Sequence, residues 1–173
     1  PRSVSSAASD VYKRQAINCT FALNFNTMQT KLLVPTDFTE VAHTAINHDA
    51  RLAETTKGEV ILLNVVSDKK DVASANKKML EEEKIAKSFF PDCPVRSIVR
   101  IGNIFDDIGQ AATEIGANII IMGTHGASGW QKVVGSHALK VITNSSAPFI
   151  VVQKQIMRPS GYDHIVVPLD LSL

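Results

Sequence analysis

Short β-branched apolar runs alternate with segments of helical apolar spacing along most of this chain. In the first helical segment, Val41, Ala42, Ala45, Ile46 and Ala53 recur at intervals that place them on one face of a helix. Such alternation predicts a parallel, doubly wound sheet with right-handed crossovers. We expect strands at 31–35, 59–66, 95–101, 118–122 and 148–152, and helices at 39–55, 74–90, 103–115 and 136–144.

The fourth strand opens into a glycine-rich loop. Residues 119–121 are all isoleucine, as in a strand that is buried on both faces, and residues 123–126 (Gly-Thr-His-Gly) follow. After eight intervening residues comes Gly135-Ser136, at the start of the next expected helix. Glycines let the backbone approach a ligand without a Cβ, and the amides at a helix N-terminus face an anion. The two glycine clusters therefore predict a phosphate-binding site.

The order of the motifs resembles the universal stress protein family. Its nucleotide-binding members carry Gly-x-x-Gly, nine residues, then Gly-Ser or Gly-Thr, and residues 123–136 are similar with eight residues in the gap. Residues 31–40 (Lys-Leu-Leu-Val-Pro-Thr-Asp-Phe-Thr-Glu) look like the family's first strand and its turn into a helix, and residues 59–66 resemble its second strand. The resemblance runs from about Met28 to Gln153.

This resemblance implies an open five-stranded parallel sheet of strand order 3-2-1-4-5, with helices on both faces (adenine nucleotide alpha hydrolase-like, Rossmann-like). Strands 1 and 4 are then neighbours at the point where the winding reverses. Ligands bind outside the carboxyl ends of such strands. We therefore expect residues 35–37 and 123–126 to lie in one crevice.

The resemblance also implies that ATP or another adenine nucleotide binds in that crevice, with or without Mg²⁺. The loop and helix start would contact the phosphates, and the strand ends would surround the base and ribose. Asp after Thr at a strand end also often caps the next helix, so binding and capping both stay open for Asp37. The implied nucleotide-binding residues are Pro35, Thr36, Asp37, Val65, Met122, Gly123, His125, Gly126, Gly135, Ser136 and the amide of His137.

Two functions stay open. In the first, ATP occupancy alters dimer or partner contacts, and the intact Gly135-Ser136 pair favours it. In the second, the domain is an interaction module without nucleotide, and the eight-residue gap favours it. An enzyme has the least support. The loop lacks the Gly-Lys-Ser/Thr ending of an NTPase, no dinucleotide fingerprint follows the first strand, and nothing fixes a base beside His125.

Charge and composition exclude several partners. The first 27 residues hold Arg2, Lys13 and Arg14 against Asp10, so the formal net charge moves from +1 to −1 without them. No basic surface then predicts nucleic-acid binding. The longest apolar runs are too short to span a bilayer. Cys93 is the only cysteine after residue 27, which fits a reducing cytoplasm and predicts neither a disulfide framework nor a metal site.

The chain divides into four segments by composition and repetition. Residues 1–27 are expected to be a non-native or disordered extension, and 28–153 the universal stress protein domain. Residues 163–173 repeat the strand-Pro-x-Asp pattern of the first strand and predict the start of a truncated second domain, with 154–162 as linker. In the resemblance family, the strand at 148–152 pairs with its twin in a homodimer or with the second domain's equivalent.

Two further expectations concern the helices. The charge run at 81–84 (Glu-Glu-Glu-Lys) is interpreted as the solvated face of a helix whose apolar side carries Met79 and Ala86. His43, His48 and His137 have no metal-ligand spacing, and we expect them at surface or helix-end positions.

Overall fold

A computed structural model of the chain describes residues 29–123, 145, 147–153, 155–158, 161–162, 164 and 166. The expected helix at 136–144 lies outside these residues. A single 3-10 turn, Lys69–Asp71, precedes the second helix and was absent from the sequence-based expectation. The strands are β1 (Lys31–Pro35), β2 (Glu59–Val66), β3 (Val95–Ile101), β4 (Ile119–Gly123) and β5 (Phe149–Val152), and the helices are α1 (Glu40–Thr56), α2 (Val72–Phe89) and α3 (Ile104–Ile115).

The five strands form one parallel sheet of order β3-β2-β1-β4-β5. Leu33 in the central strand lies opposite Ile61 of β2 and Ile120 of β4. This confirms the predicted parallel sheet and its strand order. The carboxyl ends of β1 and β4 therefore meet where the winding of the chain reverses.

Apolar side chains fill both faces of the sheet. Because successive side chains of a strand point to opposite faces, Leu32 and Leu33 belong to different core clusters. The first cluster includes Ile46 of α1 and Met79 of α2, and the second includes Ile108 of α3. Helices thus cover both faces, and the strand ends are the place left for polar groups.

The segment after β5 packs against α1. His48 is 7% exposed, and its two ring nitrogens lie 2.8 Å from the carbonyl oxygen of Gln155 and 3.0 Å from the hydroxyl of Tyr162. The amide of Met157 donates to Oδ1 of Asn47 at 3.2 Å. The expected surface position of His48 is therefore wrong, because the expected linker residues cover its ring.

Candidate functional site

Six of the predicted site residues lie together in one crevice at the carboxyl ends of β1, β2 and β4. Apolar residues of α1 and α3 close its sides, among them Val41 and Ile108. The other predicted residues, His125, Gly126, Gly135, Ser136 and His137, lie outside the described residues. The six that line the crevice are Pro35, Thr36, Asp37, Val65, Met122 and Gly123.

Gly123 lets the end of β4 approach the start of α1. A Cβ at this position would lie 2.7 Å from Cγ1 of Val41 and 3.0 Å from its carbonyl oxygen, closer than side-chain atoms normally come. The first glycine of the sequence motif therefore has a packing reason at the crevice wall, in addition to any approach to a ligand.

Asp37 supports the helix cap rather than forming it. The N-cap of α1 is Thr39, whose hydroxyl oxygen accepts from the amide of Ala42 at 3.4 Å. Oδ1 of Asp37 accepts from the amide of Thr39 at 3.2 Å and from its hydroxyl at 2.6 Å. Oδ2 of Asp37 is buried and has no hydrogen-bond partner within the described part of the chain. One oxygen is thus structural, and the other is an acceptor without a donor at the crevice.

Thr36 is bonded through its amide, its carbonyl and its hydroxyl. Its amide donates to the carbonyl of Leu63, and its carbonyl accepts from Nδ2 of Asn64, both at 2.8 Å. Its hydroxyl accepts from the amide of Phe38 at 3.1 Å and donates to Oε2 of Glu82 at 3.3 Å. These bonds fix the backbone between β1 and α1, where Asp37 lies.

Glu82 contradicts the solvated-face interpretation of residues 81–84. Glu81 is exposed and pairs with Lys84 at 2.9 Å, as expected for such a face. Glu82, however, is 3% exposed and lies 2.8 Å from Nε2 of His43. Its position three residues after the buried Met79 was a signal that the sequence offered, because residues at this spacing share a helix face.

A groove of about 660 Å³ continues from the crevice along the ends of β2 and β3. Thr36, Asp37 and Val65 line both spaces. Oδ1 of Asn64 is buried at the groove and has no partner among the described residues. The ammonium of Lys78 lies 5.0 Å from the centroid of the Phe38 ring. The groove has the size of a small-molecule site and offers both an acceptor and a cation.

The sequence model of the Universal stress protein family matches residues 28–153. This chain belongs to the universal stress protein family. Universal stress protein MJ0577 of Methanocaldococcus jannaschii is 30% identical over 157 residues, which cover 74% of this chain and 97% of that protein. The solved structure of MJ0577 is similar with a TM-score of 0.53 and 32% identity, covering 75% of this chain and 99% of that one.

Two more distant structures share the fold of this universal stress protein. A universal stress protein in complex with cAMP has a TM-score of 0.58 at 17% identity, covering 73% of this chain and 98% of that one. The universal stress protein from Archaeoglobus fulgidus in complex with dAMP has a TM-score of 0.59 at 17% identity, covering 72% and 97%. At this identity the likeness concerns the fold alone.

Other kinds of site find no support in the described ranges. No group of three or more His, Cys, Asp or Glu side chains there could hold a metal ion. None of the helices described is long and apolar enough to cross a membrane.

Proposed function

We propose that this universal stress protein domain is a cytoplasmic regulatory module that binds ATP at the ends of β1 and β4. The observation that carries the proposal is the orphaned acceptor, Oδ2 of Asp37, in a crevice lined by six of the predicted residues. A buried acceptor without a donor is costly and fits a ligand that supplies an N–H or O–H group. The cAMP and dAMP complexes of proteins with the same fold support an adenine nucleotide as that ligand.

Apolar and polar groups of the crevice are proposed to bind different parts of the nucleotide. Pro35, Val65 and Met122 offer apolar surface to a base, and Asp37 accepts from an amino or hydroxyl group of the nucleoside. Gly123 brings the end of β4 close to α1. From this end of β4 the chain continues into the glycine-rich loop. Gly126, Gly135, Ser136 and His137 are proposed to bind the phosphates through amides and a hydroxyl, with or without Mg²⁺.

We propose regulation by occupancy rather than catalysis. The polar side chains that line the described crevice are those of Thr36, Asp37 and Thr39. Each is held by hydrogen bonds: Thr39 donates to Asp37 and accepts from Ala42, and the Thr36 hydroxyl is bonded twice, so these groups bind and orient rather than attack. Nucleotide is proposed to alter pairing through β5, either between two copies of the chain or with a second domain. β5 lies at one of the two edges of the described sheet, opposite β3, and an uncharged apolar edge of this kind favours pairing.

The second candidate is an interaction module of the same fold that does not bind nucleotide. The eight-residue gap between Gly126 and Gly135, one shorter than in the resemblance family, favours it. Calorimetry with ATP separates the two candidates. Saturable binding with a micromolar dissociation constant, about −8 kcal/mol, is expected for the first. No heat at millimolar ATP would favour the second.

The Asp37→Asn variant tests the site itself. Asn keeps one oxygen to accept from Thr39 and replaces Oδ2 with an amino group that faces the ligand's donor. We expect ATP affinity to fall about tenfold to a hundredfold while the melting temperature stays close to that of the wild type. Asp106→Asn, an exposed position on α3, is the matched control and should bind as the wild type does. Equal affinity for Asp37→Asn would place the nucleotide elsewhere.

A further inference from the structure

We propose that Glu82, a carboxylate buried in α2, is a positioning residue for the nucleotide crevice. It holds the hydroxyl of Thr36 and thereby the turn that aims the carboxylate of Asp37. The inference rests on the proposed function for its ligand, but its geometry stands on described contacts alone.

The contacts form a continuous chain from α1 to the crevice. Nε2 of His43 lies 2.8 Å from Oε1 of Glu82, and the other carboxylate oxygen accepts from Thr36 at 3.3 Å. The same Thr36 hydroxyl accepts from the amide of Phe38 at 3.1 Å. Because Asp37 lies between Thr36 and Phe38, its backbone is held on both sides by one hydroxyl that Glu82 orients.

The turn needs such support. Phe38 has φ of 65°, in the left-handed region that residues with a Cβ rarely adopt. Conformations of this kind persist where surrounding contacts over-determine them, and they cluster at ligand sites. The Thr36 hydroxyl supplies one of these contacts. The one hydrogen of this hydroxyl is donated to Glu82, so a lone pair of its oxygen accepts from the Phe38 amide.

Glu82 is the one charged residue among the buried residues of α2. The other buried residues of α2 are Ala75, Met79 and Ala86, and a buried carboxylate carries a desolvation cost that they avoid. Glu82 does not line the crevice or the adjoining groove. Any effect of Glu82 on nucleotide affinity is therefore indirect, and of its two partners Thr36 is the one that belongs to the crevice.

Paired variants on α2 test the inference. Glu82→Gln keeps the shape of the side chain but turns one of its two acceptors into a donor. Glu83→Gln makes the same change one residue along, where the carboxylate accepts from the hydroxyl of Ser97 at 2.5 Å and lines neither the crevice nor the groove. Two measurements are made on both proteins: amide chemical shifts without nucleotide, and ATP affinity by calorimetry.

We expect Glu82→Gln to move the amide resonances of Asp37 and Phe38 and to weaken ATP binding roughly three- to tenfold, with little change in melting temperature. Glu83→Gln should do neither. Thr36→Ser, which keeps the hydroxyl, should retain the Phe38 amide shift, whereas Thr36→Val should lose it.

The outcomes separate the two proposals. If the wild type does not bind ATP but Glu82→Gln still moves the Asp37 and Phe38 resonances, the proposed function fails and the positioning contact stands. If the wild type binds ATP and Glu82→Gln changes neither the resonances nor the affinity, the inference is overturned. A loss of melting temperature equal in both glutamine variants, with unchanged affinity, also overturns it.

Discussion

The replacement of Asp49 is expected to stabilise the domain and to flatten its response to pH. Asp49 lies on the buried side of α1 and is 0% exposed. Neither of its carboxylate oxygens has a hydrogen-bond partner among the described residues. Burial consequently raises the pKa of Asp49 well above its ordinary value. The folded state therefore prefers the neutral acid.

The sign of the pH dependence follows from this preference. Below pH about 4 the side chain of Asp49 is protonated in both the folded and the unfolded chain, so it does not make the free energy of unfolding depend on pH. As the pH rises, the unfolded chain releases the proton and the folded one keeps it. The free energy of unfolding then falls by about 1.4 kcal/mol for each pH unit, until the pH passes the raised folded pKa.

Two substitutions separate charge from polarity. Asp49→Ala removes both unpartnered oxygens, whose desolvation costs about 1–3 kcal/mol each, and leaves a small cavity that offsets part of the gain. We expect a net stabilisation of roughly 1–3 kcal/mol at pH 7. Asp49→Asn keeps a polar group but cannot ionise. Asp49→Asn should therefore be stabilised less than Asp49→Ala at low pH, and its free energy of unfolding should no longer contain the pH-dependent contribution of residue 49.

Urea unfolding followed by circular dichroism, at several pH values between 4.5 and 7.5, measures the difference. The gap in unfolding free energy between Asp49→Asn and the wild type should widen as the pH rises. Asp92→Asn, at an exposed position in the loop after α2, is the control and should keep the wild-type slope. Parallel curves for the wild type and Asp49→Asn would refute the reasoning, because they would mean that the carboxylate is solvated or paired in the folded protein.

Two further predictions concern packing. Gly123→Ala should lower the melting temperature by several degrees, corresponding to about 1–3 kcal/mol of overpacking, because its Cβ would lie 2.7 Å from Val41. Gly116→Ala is the control, since its Cβ would meet open space and only the φ of 68° would be strained. An equal loss of melting temperature in both variants would argue against the clash with Val41. Tyr162→Phe removes one of the two hydrogen bonds to the His48 ring and keeps an aromatic ring beside it. It should speed hydrogen exchange at the Met157 amide but not in β2, and unchanged exchange would show that the hydroxyl does not hold the segment.

The sheet was accessible from the sequence because its signals are local. β1, β2 and β3 begin and end at the expected residues, and β4 and β5 differ from the expected bounds by one residue. The crevice was accessible for a second reason, since the resemblance supplied the strand order that brings Pro35 and Gly123 together. The helix starts were less well placed. α2 begins two residues earlier than expected, after a 3-10 turn capped by Asp68.

The residues that sequence reasoning missed depend on distant partners. Glu82 was interpreted as solvated because it stands in a charge run, yet Thr36 and His43, which bond it, lie 46 and 39 positions away. His48, likewise, is bonded by residues more than a hundred positions later in the chain. Helical spacing assigns such residues to one face of a helix, but it does not show whether a polar partner from a distant part of the chain lies against that face.

The last prediction concerns the outer edge of the sheet. β5 pairs with β4 on one side and ends the strand order of the described sheet. Its residues 149–152 (Phe-Ile-Val-Val) carry no charge, and Val151 is 49% exposed, whereas Ile150 packs against the core. An edge of this composition favours pairing with another strand, so we expect the chain to dimerise through β5.

Val151→Lys should place a charge in that contact while leaving the core intact, and Val151→Thr should keep both the strand and the dimer. Light scattering over a concentration series measures the mass. A monomeric wild type at high concentration, or a dimer that survives Val151→Lys unchanged, would show that β5 is not the interface.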